Sequence, residues 1–118
     1  MKRVYYDVVE KYRALNRDIE NYCANDIEID YANRKNYCYD FDNGFVCFVY
    51  YNDVYFANCG FVDRVNIFEK CKQAIEELRK KQPNATIYAQ VQANNVKTPP
   101  LISALGFNQI YKTYKLEA

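Results

Sequence analysis

The chain has 118 residues, half of them apolar and about a quarter charged, with net charge +1 and no histidine. That length and balance fit one soluble domain built on one core, and no apolar run reaches the roughly 20 residues of a membrane span. Without histidine, Ser-His-Asp and Cys-His chemistry are excluded, and a metalloenzyme is disfavoured because the commonest general base and metal ligand is absent.

The N-terminal segment MKRVYYDVVEKYR has no apolar stretch of the secretory kind, so a cytoplasmic location is the expectation, in a host cell or a virion if the chain is phage-encoded. Residues 2–6 (KRVYY) read as a short strand. Asp7 and Glu10 make a capping-box pattern before a helix. Val8, Tyr12, Leu15, Ile19 and Tyr22 then recur at helical spacing, which predicts a helix over 8–23 with one buried stripe.

After the polar segment 24–34 comes a β-meander. NYCYDF alternates, DNG signals a tight hairpin, FVCFVYY is an apolar strand, ND turns it, and VYFANCGFV returns. The continuous apolarity of the last two strands predicts a sheet centre covered on both faces. Asn66 with Glu69 repeats the capping-box pattern. Phe68, Cys71, Ile75 and Leu78 predict the buried face of a helix that ends at Arg79-Lys80-Lys81 before Pro83. TIYAQVQ (86–92) is a strand, Thr98 and Pro99 open a short helix that Gly106 stops, and FNQIYKTYKL is the last strand. The order β-α-β-β-β-α-β-α-β predicts an α+β fold over 1–118: a mixed, mainly antiparallel sheet with helices on both faces.

Charge is divided unevenly, −3 over residues 1–59 and +4 over 60–118, which favours an anionic ligand on the second half only mildly. Nucleic acid is not an expected partner, since the charge is too balanced for a phosphate-tracking stripe and no long basic patch exists. The odd set Cys23, Cys38, Cys47, Cys59 and Cys71 contains no CxxC pair and reads as reduced core residues, with no metal site. The 13 tyrosines and many asparagines match what A/T-rich coding produces, as in phages and low-GC bacteria.

The element order, together with Asn95, Leu101 and the Leu105-Gly106-Phe107 ending, resembles the GNAT superfamily of N-acetyltransferases. The resemblance covers residues 36–118 well and the first strand and helix loosely. It implies that Val54–Val62 leads into a pyrophosphate-binding helix, Asn66–Lys81, and that Thr86–Gln92 splays away to admit the pantetheine arm of acetyl-CoA. It also implies backbone amides near Phe56–Cys59 that polarise the thioester, and cofactor contacts at Phe61, Val62, Arg64, Asn66 and Asn95. Catalytic candidates are Asn58, to orient the amine, Cys59, where the acetyl group would sit, and Tyr111, as proton donor.

Two departures qualify the resemblance. VDRVNIFEK lacks the glycines of the family's phosphate loop, and Ile102 stands where a tyrosine often protonates the thiolate. Tyr111, Tyr114 or Tyr88 would have to substitute. Each candidate also has a plain reading: Asn95 as a turn residue, Cys59 as a core thiol, Asn58 as a strand-end polar group and Asp63 as a helix-start acid rather than a base. Glu28, Asp30, Asp40 and Asp42 would line an acceptor groove or form a solvated face, and the tyrosines at 5, 6, 37, 39, 50, 51 and 55 would fill a sheet face or expose an aromatic surface. Two functions stay open. One is an acetyl-CoA-dependent transfer to an amine on a small molecule or protein. The other is a catalytically inactive GNAT-like accessory protein, phage or bacterial, that binds a protein partner or its own copies.

Overall fold

In a computed structural model of the chain, residues 1–19, 28–89 and 98–108 are described. In chain order they form β1 (Lys2–Val4), α1 (Val8–Ala14), β2 (Tyr37–Asp40), β3 (Gly44–Tyr51), β4 (Val54–Phe61), α2 (Ile67–Lys81), β5 (Ile87–Ala89) and α3 (Thr98–Ala104). The five strands make one sheet in the order β1-β2-β3-β4-β5. The first three pairings are antiparallel and β4–β5 is parallel, so the mixed α+β sheet expected from the sequence is present. Residues 20–23 of the anticipated first helix, Gln90–Gln92, Asn95, Tyr111, Tyr114 and most of the last anticipated strand lie outside the described residues.

Side chains of a strand alternate between sheet faces, and here each face carries its own core. On one, Tyr37, Tyr39, Val46, Phe48, Tyr55 and Phe61 pack against Cys71, Ala74 and Leu78 of α2. On the other, Cys38, Phe45 and Cys47 pack with Val4 and with Val8 and Tyr12 of α1. This two-sided cover explains why β3 is buried from Gly44 to Val49 and why all of Tyr37–Asp40 is buried despite the alternating look of its sequence.

The β3–β4 turn places Asn52 (φ 49°) and Asp53 (φ 64°) both in the left-handed region, where short polar side chains are tolerated and which suits the twist of a two-residue hairpin. At the β2–β3 hairpin the left-handed residue is Asp42 (φ 56°). Gly44 is required for a different reason: a Cβ there would fall on the Gly60 carbonyl oxygen and the Phe61 ring.

α1 starts as anticipated, with Asp7 Oδ1 accepting from the Val9 and Glu10 amides at 3.0 and 3.1 Å. It ends far earlier. Asn16 turns left-handed (φ 54°), the Arg17 amide bonds Tyr12 O at 2.9 Å and the Asn16 amide bonds Arg13 O at 2.9 Å, the paired bonds of a Schellman stop. Leu15, expected in the buried stripe, is therefore exposed, whereas Ile19 still packs on the α1-side core from beyond the helix. In α2 the small side chains of Cys71 and Ala74 bring the helix axis close to the sheet. Contact then centres on Cys71, Ala74 and Leu78, with Ile67 and Ile75 beside them, and Phe68 is left on the rim at 37% exposure. The expected capping by Asn66 is also absent. The residue is left-handed (φ 56°) and its side chain makes no cap bond.

Candidate functional site

The parallel pairing of β4 and β5 is described at Tyr55–Ile87, Phe56–Tyr88 and Ala57–Ala89. Against β4 at and just beyond the last of these pairs lies a cavity of about 40 Å³. Its floor is Val46 and Phe48 of β3 with Ala57, Asn58 and Cys59 of β4 and Ala89 of β5. Cys71 and Ile75 of α2 form one wall, and Leu101, Ile102, Leu105 and Phe107 form the other. The void follows from size: alanine or cysteine occupies positions 57, 59, 71 and 89, where larger side chains would have filled the space. By volume it holds roughly three water-sized groups.

Asn58 and Cys59, proposed as catalytic from the sequence, thus both border one cavity. They do so differently. The register partner of Cys59 is Val46, on the α2 face, whereas that of Asn58 is Cys47, on the α1 face. Alternation therefore directs the Asn58 side chain away from α2, and it is buried there. Alternation in the backbone works the same way. The Tyr55 amide bonds Thr86 O at 2.9 Å, so the amides of Ala57 and Cys59 also turn toward the β5 side. Ile102 is part of the apolar wall and supplies no proton. Tyr88, one of its suggested substitutes, shares a face with Phe56, whose ring it stacks on at 5.8 Å, and so lies on the side of the sheet away from Ala57 and Ala89.

The cofactor candidates disperse. Phe61 is fully buried in the α2-side core, tilted against Phe41. The Val62 amide donates to Asn43 O at 2.8 Å, Arg64 is exposed in the loop, and Asn66 marks the start of α2. The loop between β4 and α2 is organised by a residue that sequence reading treated only as part of a turn. Buried Asn43 donates through Nδ2 to Asp63 Oδ1 at 2.7 Å and accepts from Lys70 Nζ at 2.5 Å. Asp63 Oδ1 also accepts from the Val65 amide at 3.0 Å. The Val65 amide and then the Asn43 side chain hold the Asp63 carboxyl below its ordinary range, so it is a poor proton acceptor. A glycine-rich loop would offer its amides to a phosphate; here the chain's own carboxylate takes the Val65 amide.

Of the four carboxylates read as a groove or a solvated face, Glu28, Asp30 and Asp42 are exposed and Asp40 is not. Asp30 caps a turn through the Ala32 amide, and Asp42 sits at a hairpin tip. Asp40 is nearly buried, its carboxylate accepting from Lys11 Nζ and Tyr6 Oη (3.2 Å) on one oxygen and from Tyr12 Oη (2.7 Å) on the other. Burial alone would raise its pKa; the Lys11 and Tyr12 bonds outweigh that and hold it low. This knot fastens α1 to the sheet. The tyrosines divide likewise: 37, 39 and 55 are core, 50 is half-buried, and 5, 6 and 51 are exposed. Burial pushes the Tyr39 phenol up to about 12.

Among the described residues no three potential metal-ligating side chains gather, and no helix is long and apolar enough to cross a membrane. No family model, curated protein or solved structure matches the chain.

Proposed function

We propose that this chain is a small N-acyltransferase of the GNAT kind, taking an acetyl thioester of coenzyme A into the space beside β4. The observation that carries the reading is the apolar cavity against Ala57–Cys59, at the last described β4–β5 pair and covered by α2 and α3. Its volume suits an acetyl group rather than a long acyl chain. In the reaction the lone pair of a neutral amine forms a C–N bond with the thioester carbonyl carbon. The oxyanion develops against the Cys59 backbone amide, which turns toward the β5 side beyond the last described β4–β5 pair, the C–S bond then breaks, and the thiolate leaves. The ammonium proton passes through water to the thiolate, giving amide and free thiol. Because transfer is direct, Cys59 serves as a wall of the acyl seat and forms no acyl-enzyme.

The test is calorimetry with acetyl-CoA and with S-acetylpantetheine, followed by thiol release across a panel of amines. Binding of both thioesters in the micromolar to millimolar range is expected, and no heat with either at millimolar concentration removes the reading.

Two observations favour the second reading, an inactive accessory protein: Asp63 closes the loop that would take phosphate, and Ile102 supplies no acid. That reading predicts self-association or a protein partner in the absence of thioester binding. A monomer by light scattering that binds acetyl-CoA counts against it.

A further inference from the structure

At the end of the sheet where β1 finishes and β2 begins, cations and tyrosines interleave in a continuous row. The Arg34 guanidinium carbon lies 4.9 Å from the centre of the Tyr5 ring, and its Nη1 donates to Tyr5 Oη at 3.4 Å. Arg3 lies 5.0 Å from the same ring and 4.1 Å from Tyr37. Lys81 Nζ, from the last turn of α2, is 5.6 Å from Tyr37, and Lys35 Nζ is 5.0 Å from Tyr50. The row is held in place from beneath. Buried Asn36 bonds the Tyr50 amide (2.8 Å) and Asp30 O (3.0 Å), and Arg3 Nη2 bonds the Arg34 and Asn36 carbonyls (2.8 and 3.0 Å). Tyr5 is 41% exposed, and Arg34, Lys35 and Lys81 are exposed. Two carboxylates bond to its margins: Asp53 accepts from Tyr50 Oη at 2.6 Å and Glu77 from Lys80 at 2.9 Å.

We propose that this Arg34–Tyr5–Arg3–Tyr37–Lys81 row, with Lys35 beside it, binds single-stranded nucleic acid. The surface offers two things at once: fixed positive charge for phosphates, and planar faces, the Tyr5 ring and the guanidinium plates on it, for unstacked bases. A duplex presents its phosphates but keeps its bases stacked away from such a platform. An acidic peptide meets the charge and leaves the planes unused. The sequence expectation against nucleic acid rested on the near balance of charge and the lack of a long basic stretch; these cations come from three separate segments, at Arg3, Arg34-Lys35 and Lys81, that only the sheet edge and the end of α2 unite. The row is also distinct from the proposed acyl seat. It lies at the end of the sheet where β4 begins and α2 ends, whereas the cavity lies further along β4. The inference stands whether or not the acyl-transfer reading does.

The test is fluorescence anisotropy of labelled dT12 and a mixed 12-nucleotide RNA on the full chain, against duplex DNA, poly-glutamate and anionic phospholipid vesicles. With about four phosphates neutralised, the logarithmic salt slope should be about −3, which weakens binding about 50-fold between 50 and 200 mM salt. Arg34→Ala with Lys81→Ala should reduce that slope by about 1.4. Tyr5→Leu, at an exposed position, should weaken binding at least about fivefold through lost stacking while leaving the thermal transition unchanged. The proposal is overturned by binding insensitive to salt, by equal affinity for duplex, poly-glutamate or vesicles, or by folded variants that bind like the parent chain.

Discussion

Ala57→Val tests the candidate site most directly, because stability and function should move in opposite directions. The alanine is in the cavity floor, on the α2-facing side of β4, with Ala89 as its parallel partner and Phe48 opposite. Valine adds two methyl carbons that point into a void of about 40 Å³. At ~0.8 kcal/mol per buried carbon this is worth about 1.6 kcal/mol, of which ordering and imperfect fit leave about 1. β-branching is also favoured in a strand. Urea unfolding should therefore show a higher midpoint with an unchanged slope. The same valine occupies the space assigned to the acetyl methyl, so calorimetry should show acetyl-CoA affinity reduced by at least about tenfold. A gain in stability with a loss of binding is the mark of a cavity kept open for a ligand. Destabilisation by more than about 1 kcal/mol would mean that there was no room, as overpacking does. Stabilisation with unchanged binding would refute the placement of the thioester.

Three further outcomes follow from the geometry. Asp40→Asn removes the charge from the knot with Lys11 and Tyr12 and should cost about 1–2 kcal/mol at neutral pH, while Tyr12 Oη retains Gly44 O at 2.9 Å. Because the native Asp40 pKa lies below its unfolded value near 3.9, its stabilisation is complete above that value and is lost as pH falls through the native pKa. Parent and variant should therefore converge in acid titrations of stability, and a difference that persists unchanged at pH 2 would contradict the ion pair. Gly44→Ala drives a methyl onto the Gly60 carbonyl and the Phe61 ring and should lower stability by about 2–3 kcal/mol in chemical denaturation; a neutral result would show that β3 and β4 are less closely apposed. Since Asp63 occupies the amide that a phosphate would use, acetyl-CoA and S-acetylpantetheine should bind the parent chain within about threefold of one another. Asp63→Ala should open a preference for acetyl-CoA of about tenfold, and an unmoved ratio would refute the competition.

Features governed by neighbours along the chain were legible in the sequence. These include the order of the eight described elements, the Asp7 cap, the Asn52-Asp53 turn and the apolar run of β3. Each depends on interactions a few residues long, and propensity and periodicity report those. Even there one local signal was outweighed: periodic Leu15 and Ile19 suggested a continuing helix where left-handed Asn16 ends it. The candidate site was half visible. Position along β4 brought out Asn58 and Cys59, but not which faces α2, nor that Ala57, Cys71, Ala89, Leu101 and Leu105 leave a void together. Tertiary structure alone made Asp40 a buried knot, joined Asn43 to Asp63, and gathered Arg3, Arg34, Lys35 and Lys81 into one row. The physical reason is range. Cavities, buried charges and composite surfaces arise between groups remote in the chain, and their energies exist only once the sheet and α2 have set the distances.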